Sequence, residues 1–509
     1  METVVSSKVL FSDLPNELRE HVFQHLSARD LCRVALCSRS WREAANQDVL
    51  WRPLCREKKW ERYGTAMDLC TEAPFRPAQC QGNGSIREGV TFPFESEVSG
   101  SDWPGLVGTC RWKEIYMKAQ HLEGNWIKNR YDVVSFQFGS AGYMTVSEYA
   151  GSGAELIVHN LAGEGDYLAG GVSDGTLQIW DMSTGERRQL IQVNVSHQTS
   201  ALLMKRGVIV AGCKDGKIRT YSVHNGKQLG EMSGHRLGLF RLFFDGDTIV
   251  SAAQQFYYTK KQVDNDIRVW NVDGTSRFVL RSPEKALLVY LDYLDKRVAG
   301  AYLNGTVRLW DARNGFCTRA IVSDTAGMIS CHLGDGIVIT TSKENNIRMW
   351  NVESGECIRK FEVPGLDFAD WDESDPSSSS VFNGELLVAT SDFLNLRLFN
   401  LDGKCLGDTK SYDPHAQHNL EIACFVGANF IAYDKCGGGP MYLWRADCHH
   451  GFKLIKELRC WMYDDEVRDK YGAAWMSDTK LAYIRYFEMD KEGYEDKIQI
   501  PEIVVHHYW

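Results

Sequence analysis

The chain has 509 residues, 44% of them hydrophobic and 24% charged, with a net charge of −10 at pH 7. That is enough apolar material for a sizeable core, and it excludes wholesale disorder. The acidic balance argues against a dedicated nucleic-acid partner, and no run of about 18 apolar residues is present to cross a membrane. The opening string METVVSSKVLFSDLP lacks the basic and then long apolar segments of a secretory signal. Fifteen scattered cysteines, an odd number, read as reduced thiols, so a cytoplasmic or nuclear location is expected. At about 150 residues per domain, the length suits three domains, or one small domain and a large repeat architecture.

Residues 11–60 carry a helical pattern. A first helix is expected from about Leu14 to Leu26, capped by Ser12 or Asp13, with Pro15 in the first turn. Leu14, Leu18, Val22 and Leu26 share one stripe, which Phe23 widens. Ser27-x-x-Asp30 resembles a capping box opening a second helix, whose apolar face is Leu31, Val34 and Ala35. Cys37, Trp41, Leu50, Trp51 and Leu54 continue the apolar set. About fifty residues cannot bury so many large apolar groups alone, so part of that surface should face a partner or the rest of the chain. Residues 61–124 read as a linker rich in glycine and proline. Within it, Trp112, Ile115, Tyr116 and Ala119 predict a helix near 111–121.

From about residue 125 to 509 the chain consists of short apolar runs broken by turn pairs, the pattern of many short strands. One strand tail recurs as LQIWD, IRTYS, IRVWN, VRLWD, IRMWN, LRLFN and YLWR. Its aromatic anchors are Trp180, Tyr221, Trp270, Trp310, Trp350, Phe399 and Trp444, spaced by 41, 49, 40, 40, 49 and 45 residues. Another apolar strand precedes each anchor. Pairs such as Asp174-Gly175, Asp215-Gly216 and Asn304-Gly305 lie between the two strands and suit tight hairpin turns. This four-strand unit with a Trp-Asp tail resembles the WD-repeat β-propeller family. Only the third unit opens with Gly-His (Gly234-His235), so the family's His–Ser–Asp–Trp network is expected to be incomplete in most blades. Two insertions stand out, at 254–264 and 366–382. Eight blades are expected, with seven as the alternative. The run at 131–138 would supply the missing outer strand for the C-terminal strands and close the ring.

The string LPNELREHVFQHLSARDLCRVALCSRSWREAANQDVLWRPLC resembles the F-box motif. F-box modules bind the Skp-type adaptor of a cullin–RING ubiquitin ligase. The resemblance implies that Leu14, Pro15, Leu18, Val22, Phe23, Leu26, Leu31, Val34, Cys37, Trp41 and Trp51 supply the adaptor contact and the small core behind it. The order of F-box, linking helix and propeller is that of the F-box/WD-repeat substrate receptors. The fold class implied is thus a small all-α F-box module at 11–60 followed by an all-β WD-repeat propeller at 125–509.

Two common catalytic motifs are lacking: there is no lysine-bearing phosphate loop and no H-E-x-x-H. CGGGP at 436–440 reads as a turn. Cys436, Cys448, His449, His450 and Cys460 have no zinc-site spacing and read as loop residues, so no metal and no cofactor are expected. Arg219, Arg268, Arg308, Arg348 and Arg397 recur before the anchors, where strand alternation packs them between blades. Phosphodegron-binding relatives carry arginines on the inner strand or before the tight turn. The corresponding positions here are mostly Ser173, Leu303, Ser330 and Ala423, so no strong phosphate clamp is evident. Lys214, Arg241 and Lys343 are client-face candidates, Arg241 lying about one residue out of register. Phe256, Tyr257 and Tyr258 of the first insertion join them as exposed aromatics. The leading expectation is a non-catalytic substrate receptor that binds a Skp-type adaptor, and through it a cullin–RING ligase, together with a client protein. A scaffold without a degradative role is the alternative. A propeller enzyme is disfavoured because no convergent acid/base motif stands out.

Overall fold

The computed structural model describes residues 14–71, 109–137, 158–193, 199–253, 265–283, 286–324, 326–344, 346–362, 380–391, 395–409, 420–434, 441–447, 451–458, 473–490 and 497–509. The chain divides into two compact units, one of residues 1–76, 88–132 and 508–509, the other of 77–87 and 133–507.

The first unit is helical: α1 (Asn16–Phe23), α2 (Ala28–Val34), α3 (Arg39–Ala45), α4 (Asp48–Glu57), α5 (Arg62–Thr65) and α6 (Arg111–Lys128). Helix α1 starts later than its apolar stripe suggests. Pro15 is its cap residue with an extended ψ of 150°, and its carbonyl accepts from the Leu18 and Arg19 N–H groups. Ser12 and Asp13 lie outside the described residues. The Ser27 hydroxyl caps α2 as expected, accepting from the Asp30 N–H at 3.2 Å and donating to the Asp30 carboxylate at 2.7 Å. Ser38 caps α3 through the Trp41 N–H. Helix α6 runs past residue 121 to Lys128, so residues 125–128, read as the start of the strand-rich segment, complete this helix. It ends at Asn129 with φ 52°, a conformation that asparagine tolerates better than most residues.

Helices α4 and α6 make the core of this unit. Trp51 is fully buried, its indole N–H donates to the Ala45 carbonyl at 2.7 Å, and its ring meets Tyr116 edge-on at 5.4 Å. The buried Lys113 donates to the Asn46 side chain at 2.6 Å, which offsets part of the cost of burying an ammonium. The last two residues of the chain belong here too. Tyr508 stacks on Trp126 at 3.5 Å between ring centres, and its carbonyl accepts from Asn125 at 2.8 Å.

The second unit is an eight-bladed propeller, each blade among the described residues a four-stranded antiparallel sheet. Blades one to seven are built in chain order. Blade one has Val158–Glu164, Tyr167–Val172, Thr176–Asp181 and Arg187–Gln192 from inner to outer strand. Blades two to seven span 199–232, 239–280, 288–322, 328–362, 380–408 and 420–458. Blade eight joins both ends of the chain, in the order Asp132–Gln137, Lys497–His507, Lys480–Asp490, Ala474–Met476. The alternative of seven blades therefore falls. The outer strand that completes the sheet of the C-terminal strands comes from residues 132–137, and His506, paired with Leu481, takes the register position that Trp180 holds opposite Leu168 in blade one.

All seven anchors are buried on the third strand of their blades. At each of them the pairing with the outer strand shifts by a bulge, for example between Ile179 and Trp180 and between Leu309 and Trp310. The seam that closes the ring repeats the other seams. Gly315 sits at φ 74° in the turn before the outer strand, where an added Cβ would come within 2.7 Å of Phe278 on blade three. Gly185, also at φ 74°, meets Phe136 of blade eight in the same way, at 3.0 Å. Trp180 and Val158 of blade one pack with Ala482, Ile484, Ile503 and Val505 of blade eight.

Blade three contains the His–Ser–Trp part of the expected network. Ser251 Oγ lies 2.8 Å from His235 Nε2 and accepts from the Trp270 indole at 2.9 Å. In blade five Thr340 takes the serine's place, accepting from Trp350 at 2.9 Å.

Candidate functional site

The adaptor-contact residues divide by burial. Phe23, Leu31 and Trp51 are core residues. Phe23 and Trp41 hold α1 against α3, with ring centres 6.1 Å apart, and Arg19 donates from α1 to Ser40 at 3.3 Å. Leu14, Leu26, Val34 and Trp41 are half-buried, while Pro15 and Cys37 are exposed. Leu18 and Val22, one turn apart on α1, are 51% and 44% exposed. Leu36, at the end of α2, is 76% exposed and was absent from the expected set. Its position lies outside the apolar periodicity of α2, which is why pattern did not select it. Two exposed leucines and a valine on so small a unit form a surface suited to a protein partner.

On the propeller, Lys214 is exposed in the hairpin between the second and third strands of blade two, and Lys343 is half-buried in the equivalent hairpin of blade five. Arg241 is on the inner strand of blade three. No described contact joins the three. Phe256, Tyr257 and Tyr258 lie outside the described residues, as do the five cysteines and histidines at 436–460 and the glycine run at 436–440. Among the described residues no group of three or more potential ligands could hold a metal ion. The second insertion, read as 366–382, ends in structure: Ser380–Phe382 is the inner strand of blade six. Ser380 is fully buried, and its hydroxyl is satisfied by Ser330 at 2.6 Å and His332 at 2.8 Å.

Arg241 is in register after all. Its strand bulges between Leu239 and Arg241, as the inner strands of blades one, four and five bulge at 158/160, 288/290 and 328/330. Arg241 therefore occupies the position of Asn160, Tyr290 and Ser330. A polar chain crosses four consecutive inner strands. The Arg241 guanidinium lies 4.7 Å over the Tyr290 ring, and the Tyr290 and His332 rings are 5.2 Å apart. His332 reaches Ser380, which reaches Ser330, whose hydroxyl is 2.7 Å from that of Thr341. Asp292 clips blade four to blade five, accepting the Leu333 N–H at 2.7 Å.

Burial pushes Tyr290 up to about 12 and His332 down to about 3, so both rings are neutral near pH 7. Burial also raises the Asp292 carboxyl. The cation of this wall is Arg241, half-buried and with no hydrogen bond or ion pair among the described residues beyond its stacking on Tyr290. Half-buried guanidinium groups are ordinarily paired, so this one is available to an anionic group of a ligand. The recurrent arginines beside the anchors are engaged instead. Arg219 bonds to Asp215 and Glu231, Arg268 to Asp266 and Arg308 to Ser282, while Arg348 bonds to Ser323 and Asp324.

Residues 11–57 match the family model described as F-box-like. A protein of Arthroderma otae described as "Probable E3 ubiquitin ligase complex SCF subunit sconB" is 26% identical over 178 residues, 34% of this chain and 23% of that protein. The "F-box/WD repeat-containing protein pof1" of Schizosaccharomyces pombe is 24% identical over 212 residues, 35% of this chain and 33% of that protein. The chain thus spans between 23% and 33% of the length of these two relatives. Among solved structures, the computationally designed Ika8 protein matches 69% of this chain and 96% of its own at 18% identity and a TM-score of 0.51, a likeness of fold alone.

Proposed function

We propose that this chain is an F-box/WD-repeat protein and the substrate-recognition subunit of an SCF-type ubiquitin ligase. Helices α1–α3 seat a Skp-type adaptor and through it the cullin–RING assembly. The propeller holds the client, whose lysines are thereby kept near the ubiquitin-transfer partner at high effective concentration. The chain performs no bond chemistry itself. The observation that carries this reading is the exposed Leu18–Val22 strip within an F-box-like module that precedes a complete propeller. For the client, the described inner strands of blades three to six offer one cation, Arg241, beside neutral Tyr290 and His332. That suits a single carboxylate better than a phosphate dianion, which calls for more than one positive partner.

Deleting residues 1–60 is a poor test, because it removes Trp51 and α4 from the core that α6 needs. Leu18→Ala/Val22→Ala instead alters two side chains that the fold leaves exposed. Proteomic turnover in cells carrying the wild-type chain or this variant should show clients whose half-lives lengthen while they still co-purify with the variant. Unchanged half-lives of every co-purifying protein would favour a non-degradative scaffold.

A further inference from the structure

Two histidines lie beside the strip just described, His21 on α1 and His25 in the turn that follows it. His21 and His25 are one turn apart, both exposed, with ring centres 5.4 Å apart and planes at 82°. The backbone holds the turn between them, with Gln24 N–H donating to Glu20 at 2.9 Å and His25 N–H to Val22 at 3.3 Å. A zinc–imidazole bond is about 2.0–2.1 Å long, which sets a bound ion roughly 3.2 Å from each ring centre. Two imidazoles on one tetrahedral ion then have centres about 5.2 Å apart, close to the separation observed. The third exposed histidine among the described residues, His224, meets Tyr167 instead.

We propose that His21 and His25 form a two-ligand site for a divalent transition ion such as zinc or copper, and that its occupation masks the adaptor seat. The masking half rests on the adaptor reading above, whereas the site itself does not. Imidazole pairs suit these ions, and open coordination positions stay filled by water. Leu18 and Val22 flank the pair on α1 and must shed water when an adaptor docks. A hydrated dication held between them opposes that, since burying an unpaired charge is strongly unfavourable.

The test uses the full chain and zinc alone. Calorimetric titration of the wild type should show one more micromolar zinc site than His21→Ala/His25→Ala. Equal zinc uptake by the two overturns the site. In a second arm, saturating zinc should weaken adaptor binding to the wild type at least tenfold, with recovery on chelation, and should leave the double variant's affinity unchanged. Zinc-independent adaptor affinity of the wild type, with the extra zinc site present, overturns the masking. Absence of adaptor binding under every condition counts against the proposed function instead, and the site is still decided by uptake.

Discussion

Ser251 shows how much one hydroxyl supports. It is fully buried and serves both His235 and the Trp270 indole, so Ser251→Ala removes a hydrogen bond from each of two buried groups. The expected loss is about 2–4 kcal/mol, read as a lower chemical-denaturation midpoint. Ser251→Thr should retain most of the stability, because Thr340 performs this task in blade five. If Arg241 meets an anionic group of the client as proposed, Arg241→Ala should weaken client binding at least tenfold in an equilibrium assay, with client capture unaffected by phosphatase. A client that binds the variant equally well would show that the guanidinium takes no part. Both residues illustrate what sequence conveys at this scale. The aromatic anchors are legible because they recur at fixed intervals and every one is buried. The availability of Arg241 is not legible, because pairing depends on neighbours from other blades.

Among the elements, the closing blade is the most sensitive to acid. His506 and His507 lie on its third strand, and burial pulls both below the ordinary imidazole range, His507 to about 3. Nearby cations add to this, Lys456 and Arg485 at His506 and Lys480 at His507, while the Met182 carbonyl 3.2 Å from the His507 ring partly opposes it. In the unfolded chain these rings take up protons below about pH 6.5, and in the folded chain they do not, so stability is full above that pH and falls beneath it. Each of the two should cost about 1–2 kcal/mol per pH unit between pH 6.5 and 5, steepening the loss of melting temperature with acid. His506→Gln/His507→Gln should flatten that limb, and an identical pH profile would contradict the assignment. In the helical unit, removing Tyr508 and Trp509 strips the stacking partner from Trp126. A loss of about 3–5 kcal/mol is expected, seen as faster amide exchange along α6. The outer strand at 131–138 was legible as an apolar run in need of a sheet. The Tyr508 contact was not, because two residues at the end of a strand carry no periodicity.

At the scale of the whole molecule, the ring depends on strand Lys497–His507, which lies between the strands from residues 132–137 and 480–490. Deleting 497–509 should leave two unpaired edges and an open ring, giving aggregation and loss of cooperative melting. A soluble truncation that melts like the parent would show that seven blades suffice. The receptor account as a whole turns on the helical unit. Equilibrium binding of the purified full chain to a purified Skp-type adaptor tests it most directly, with Leu18→Ala/Val22→Ala as the comparison. Half-exposed side chains of this size contribute about 1–1.5 kcal/mol each when buried at an interface, so the variant should bind at least tenfold more weakly while melting like the wild type. Saturable binding with that loss is the predicted result. No saturable binding, or equal affinity for the two proteins, would contradict the account.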